Sequence, residues 1–104
     1  MKVIENVSEF QDSIKNGIVI VDFFAEWCGP CRMMDNVLRK VEKELQNIPI
    51  IKVNVDSLPQ LAMEYGVKGI PTIVIFQDGE EKDRIIGLVG VDTIKQKVVT
   101  VQGG

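Results

Sequence analysis

The chain has 104 residues, 45% of them hydrophobic and 26% charged, which is enough apolar material for one packed core and points to a single domain spanning residues 1–104. The formal net charge of −3 sets aside nucleic acid and anionic membrane as partners, because both call for a basic surface. No apolar run approaches the roughly 18 residues of a membrane span.

The first residues, MKVIENVSEF, lack the apolar stretch of a secretory signal, so a cytosolic location is expected. Val3 and Ile4 form a candidate first strand. Ser8 to Gln11 has the S-x-x-Q form of a capping box, Phe10 and Ile14 share one helix face, and Gly17 is a stop. Residues 18–24 (IVIVDFF) are β-branched, aromatic and nearly all apolar, as in a strand buried on both faces of a parallel sheet. From Cys31 on, Met34, Val37, Leu38, Val41 and Leu45 recur at helical spacing, with Arg39, Lys40, Glu42, Lys43 and Glu44 opposite. Residues 50–55 (IIKVNV) predict a strand, and residues 59–65 a short helix opened by Pro59 and ended by Gly66. Residues 70–76 predict another strand. Asp78-Gly79 signals a hairpin into a strand over residues 82–86. Asp92 is a candidate cap for a last helix with Ile94, Val98 and Val101 on one side. The pattern is βαβαβ, then a hairpin and a helix, which implies an α/β fold with helices on both faces of a small sheet. The first buried strand, the helix after Cys31 and the next strand form a right-handed unit, the two strands parallel.

The only two cysteines lie in Glu26-Trp27-Cys28-Gly29-Pro30-Cys31, where the buried strand ends and a helix begins. Sites in open α/β sheets gather outside the carboxyl ends of strands. A helix N-terminus carries unpaired N–H groups and about half a positive charge, which would stabilise a Cys28 thiolate and lower its pKa below about 8.5. Only the thiolate attacks a disulfide. Residues three apart on a helical turn are about 5–6 Å apart, within the range that a disulfide tolerates. So short a ring gains little entropic stability, which suits a switch better than a staple. Pro30 removes a donor where none is needed and stiffens the ring. Zinc would want four ligands, and the chain offers two Cys and no His. A structural disulfide is rare in the cytosol. No metal is expected, and no cofactor, since the cysteines themselves carry the electrons.

The segment Trp27-Cys28-Gly29-Pro30-Cys31 resembles the active-site motif of the thioredoxin family. The resemblance runs along the whole chain. It includes Val21-Asp22-Phe23-Phe24-Ala25-Glu26, Lys52-Val53-Asn54-Val55-Asp56, Tyr65-Gly66-Val67-Lys68-Gly69-Ile70-Pro71-Thr72, and Gly87. It implies the thioredoxin fold, a mixed sheet flanked by helices, and reduction of protein disulfides with electrons from a thioredoxin reductase. Cys28 is then the nucleophile and Cys31 the resolving thiol.

Asp22 interrupts an apolar strand, where a carboxylate is costly unless paired or protonated. By pattern alone it is either an Asp at a strand bend reaching water or a general acid–base group. The resemblance matches it to the family's buried aspartate serving the second cysteine. Lys52, in the next strand, is a solvated lysine or, by the same match, a neighbour whose charge favours ionised Asp22. Pro71 would by base rates be trans, but it matches the family's cis-proline facing the cysteines. There the Ile70 backbone would be free to pair with an extended substrate segment. Trp27, at a loop beside Cys28, is expected to show an exposed face to partner proteins. Gly29, Pro30 and Gly87 would let a substrate backbone come close.

Two positions depart from the commonest family pattern. Phe24 stands where many relatives have a second tryptophan. Asn36 stands where many have a kinking proline, so a straighter helix is expected. Three functions follow from the sequence: a disulfide reductase, favoured; an oxidase or isomerase, disfavoured by the absent signal and the Gly-Pro dipeptide; and a non-enzymatic binding module. Expected partners are a thioredoxin reductase and disulfide-containing proteins, with the chain itself a monomer.

Overall fold

A computed structural model describes residues 1–104. Nine elements follow in order: β1 (Lys2–Val3), α1 (Val7–Ser13), β2 (Ile18–Phe24), α2 (Gly29–Glu44), β3 (Ile50–Asn54), α3 (Pro59–Glu64), β4 (Thr72–Gln77), β5 (Glu80–Ile86) and α4 (Val91–Gly103). The five strands form one sheet in the order β1-β3-β2-β4-β5. β3 is parallel to β1 and to β2, and β4 is antiparallel to β2 and β5, so the sheet is mixed as expected. No helix is long and apolar enough to cross a membrane.

β2 lies at the centre of the sheet, which is why its sequence is apolar on both alternations. Val19, Val21 and Phe23 point to one face and join Ile51, Val53, Val74 and Phe76. Phe10 of α1 and Leu61 of α3 close that layer. Ile20 points to the other face with Ile50, Ile73 and Ile75, and is covered by Met34, Leu38 and Val41 of α2 and by Ile94 and Val98 of α4. Each large side chain fully buried in these layers contributes roughly 1.5–3 kcal/mol. The strand period of two has one consequence for function: Asp22 and Lys52 share the face covered by α2, because Ile20 and Ile50 do.

Several local expectations are corrected. The Ser8–Gln11 box does not form. The N-cap of α1 is Asn6, whose side chain accepts from the Glu9 N–H at 2.8 Å, while Glu9 Oε1 accepts from the Glu5 N–H. An Asx oxygen followed three residues later by Glu does similar work, starting the helix two residues earlier. Asp92 does not cap α4. The cap is Gly90, without a side-chain bond, and Asp92 sits in the first turn, where its charge faces the positive end of the helix. β4 starts at Thr72 rather than at residue 70, since Pro71 has no N–H to give to a ladder. β5 begins at Glu80, directly after the turn, so the strand is longer than residues 82–86. Asp78 (φ 52) and Gly79 (φ 87) are both left-handed, the combination that a two-residue hairpin requires. α2 passes through Asn36 as one helix of 16 residues.

Candidate active site

β2 carries the chain up the centre of the sheet and releases it at Phe24. A turn then closes through the Cys28 N–H bonded to the Ala25 carbonyl at 3.3 Å. Cys28 is the N-cap of α2, in extended backbone (φ −90, ψ 110), and its sulfur accepts from the Cys31 N–H at 3.2 Å. A sulfur thus occupies the position that a Ser or Asp oxygen usually takes. Gly29 and Pro30 fill the first turn, where the missing proline N–H leaves nothing unsatisfied. Cys28 and Cys31 are joined as a disulfide, with their Cα atoms 5.3 Å apart. Both are buried, while Trp27, Gly29 and Pro30 around them are exposed.

The opposite wall comes from the segment before β4. The Ile70–Pro71 peptide bond is cis. The Ile70 carbonyl oxygen lies 3.8 Å from Cys28 Sγ, and Ile70 makes no backbone hydrogen bond of its own. The Pro71 carbonyl accepts from the Gly87 N–H at 2.8 Å, and Gly87 takes the left-handed φ of 94. Cys28, Ile70, Pro71 and Gly87 are therefore brought to one place by three separate segments. Trp27 is 69% exposed, and its indole N–H donates to Asp56 Oδ2 at 2.8 Å. Ile86 and Leu88, flanking Gly87, are exposed apolar residues.

The face of the sheet covered by α2 holds one buried carboxylate. Asp22 is fully buried, and neither carboxylate oxygen has a hydrogen-bond partner. Burial pushes its carboxyl up from the ordinary 3.8 to about 7, against the pull of the Lys52 charge and with a smaller push from Asp35. Lys52 sits opposite Asp22 in the β2–β3 register. The expected Asp22–Lys52 pair is nevertheless not made. The Lys52 ammonium lies 2.7 Å from Asp35 Oδ1 and 4.2 Å from the centre of the Phe24 ring. The contact with Asp35 is one of charge rather than an aligned hydrogen bond, since that oxygen is otherwise unpartnered. The Phe24 ring serves as a platform for the cation. A cleft of about 200 Å³ runs beside Cys31, lined by Phe24, Ala25, Glu26, Arg32 and Asp35. No group of three His, Cys, Asp or Glu side chains is placed to hold a metal ion.

Two participants escaped the sequence reading. Asp35 lies four residues after Cys31 and three before Leu38, on the inward stripe of α2, and a carboxylate on that stripe was the available signal. Asp56 stands just after β3, and nothing in its local sequence marks it as the partner of Trp27.

The family model described as Thioredoxin matches residues 1–100. The thioredoxin of Chlamydia trachomatis serovar D is 48% identical over 85 residues, which is 82% of this chain and 83% of that protein. The thioredoxin of Rickettsia typhi is 45% identical over 93 residues, covering 83% of this chain and 87% of its own length. Among solved structures, a Plasmodium falciparum thioredoxin superimposes with a TM-score of 0.88 at 31% identity, over 96% of this chain and 98% of that one.

Proposed function

The chain belongs to the thioredoxin family and is a protein-disulfide reductase working through a Cys-Gly-Pro-Cys pair; we propose that Cys28 is its attacking thiol, Cys31 its resolving thiol and Asp22 the acid–base group that serves Cys31. The observation that carries this assignment is the capping bond. The helix offers its Cys31 N–H to the Cys28 sulfur, so negative charge on that sulfur meets a donor and the positive end of α2.

In the forward reaction the Cys28 thiolate attacks one sulfur of a target disulfide. A Cys28–target disulfide forms and the other target sulfur leaves as a thiolate. Asp22, as a carboxylate, takes the proton from the Cys31 thiol, directly or through water. The Cys31 thiolate attacks Cys28 Sγ, the internal disulfide closes and the second target sulfur leaves reduced. Two electrons pass from the dithiol to the target. Lys52 sets how readily Asp22 ionises. The unbonded Ile70 backbone beside Cys28 supports docking of the target as an added extended strand, with Pro71, Gly87, Gly29 and Pro30 leaving it room and Trp27 giving an apolar anchor. The whole chain acts as one domain and as a monomer in the cytoplasm. A thioredoxin reductase restores its dithiol.

The reduction potential of the pair tests the assignment, by equilibration with thiol buffers and alkylation. A value near −270 mV fits a reductant, and one near −120 mV fits an oxidant, a gap of about 7 kcal/mol. A potential at the oxidising end would reverse the direction of electron flow. Absence of a reversible disulfide would leave a binding module.

A further inference from the structure

Lys52 has two carboxylates to choose from and one ammonium to give. Asp22 faces it across the β2–β3 register, and Asp35 reaches it from α2. The ammonium is with Asp35 at 2.7 Å, and both Asp22 oxygens are left without partners. We propose that Asp35 is a positioning residue, which holds the Lys52 ammonium off Asp22 and so keeps that carboxyl free to carry and release a proton. This rests on the assignment of Asp22 as the acid–base partner of Cys31.

The choice has a physical cause. The Asp35 side chain is 27% exposed and that of Lys52 12%, so their pair keeps some water contact. Asp22 has none. Drawing the ammonium to Asp22 would bury both charges, and desolvation then opposes the attraction. Asp35 offers the same attraction at lower desolvation cost, and the Phe24 ring supports the ammonium in that position. Unlike an exposed pair, one this shielded is little weakened by salt. No other charge offsets the effect. The rest of the face around Asp22 is apolar, with Ile73 opposite it on β4, Ile20 beside it on β2, and Met34 and Leu38 above it on α2. Lys52 and Asp35 are the charged groups that act on it. Together, Asp35 draws away the one cation that would hold Asp22 ionised, and adds its own negative charge.

The test is the titration of the Asp22 carboxyl carbon by NMR in the disulfide form, where neither cysteine titrates. Four proteins are compared: the unaltered chain, Asp35→Asn, Lys52→Met and the double variant. In Asp35→Asn the midpoint is expected to fall from about 7 to about 6 or lower, as Lys52 turns to Asp22. Asp35→Ser serves as a second variant and should give the same fall. In the Lys52→Met background the change at Asp35 should move the midpoint by less than half as much. An unmoved midpoint in Asp35→Asn overturns the proposal. So does an equal fall with and without Lys52, which would mean that Asp35 acts by its own charge alone. The pH profile of mixed-disulfide resolution, measured on the same proteins, separates the underlying assignment. If the carboxyl titration moves and that profile does not, Asp35 positions Lys52 but Asp22 is not the group serving Cys31.

Discussion

The sulfur of Cys28 accepts the backbone N–H of Cys31 at 3.2 Å, so the residue proposed to attack is also the residue that starts α2. Serine is among the best N-caps, and Cys28→Ser should therefore keep the helix start while removing the nucleophile. The expected outcome is a melting temperature within about 4 °C of the parent's dithiol form, with protein-disulfide reduction at the uncatalysed background. Cys31→Ser keeps the N–H donor and the attack but cannot resolve. A covalent adduct with the target protein should accumulate, visible by mass spectrometry under non-reducing conditions, and should be absent from the variant with both changes. An adduct on Cys31 when Cys28 is replaced would exchange the two roles.

Asp22 carries its pH dependence in a sign that can be worked out. Its folded value of about 7 lies above the ordinary 3.8, so the folded chain holds the proton more tightly than the unfolded chain. This contribution is fully present below about pH 4 and is lost as pH rises through about 7. Above that, ionised Asp22 costs the fold up to about 4 kcal/mol. Asp22→Asn removes the slope, although its amide also lacks partners and gives back about 1–3 kcal/mol. Urea unfolding should find the variant more stable at pH 8 by about 1–3 kcal/mol, and no more stable than the parent at pH 4. Parallel stability curves from pH 4 to 8 would argue against a carboxyl raised by burial. If Asp22 serves Cys31 as proposed, resolution of the mixed disulfide should slow in the variant.

The layered fold was legible where the period of the sequence was strong. IVIVDFF reads as a strand buried on both faces, and the apolar stripe from Met34 to Leu45 reads as one face of a helix. The cysteine pair at their junction was equally plain. What the sequence hid is side-chain choice across elements. Lys52 is one residue in a strand, and whether its flexible stem leads to Asp22 or to Asp35 depends on where α2 comes to lie and on the relative cost of burying two carboxylates. Trp27 and Asp56 are 29 residues apart in the chain, so their bond is a product of the β2–β3 pairing. Capping was missed at Asn6 and Gly90 for a local reason: Ser8 and Asp92 are good caps, but each helix starts from a cap two residues earlier.

Gly87 braces the wall opposite the cysteines, bonding Pro71 from a backbone with φ of 94. Space does not enforce glycine here, since a Cβ would meet nothing within 4 Å. Backbone conformation does. Gly87→Ala should cost about 1–2 kcal/mol, or roughly 4–15 °C in melting temperature for a chain of this size. A melting temperature equal to the parent's would mean that the segment between β5 and α4 relaxes to a negative φ at no cost, and that the Pro71 bond does not depend on it.

Trp27 exposes 69% of its surface next to the buried Cys28 sulfur, and its one polar side-chain atom is already bonded to Asp56. A tryptophan pinned in this way presents a flat apolar face without having to be ordered on binding, which is the behaviour of an interface anchor. Trp27→Ala should raise KM for a protein disulfide about tenfold, the loss of one modest anchor, and change kcat by less than about twofold. A small disulfide such as oxidised glutathione touches little of that face, so its rate should hardly move. Asp56→Ala, which unpins the ring but leaves it in place, should fall between the parent and Trp27→Ala on the protein substrate. Equal losses on the protein and the small disulfide would place Trp27 in the chemistry of Cys28 instead of in docking, because only an effect on the thiolate itself is shared by both substrates.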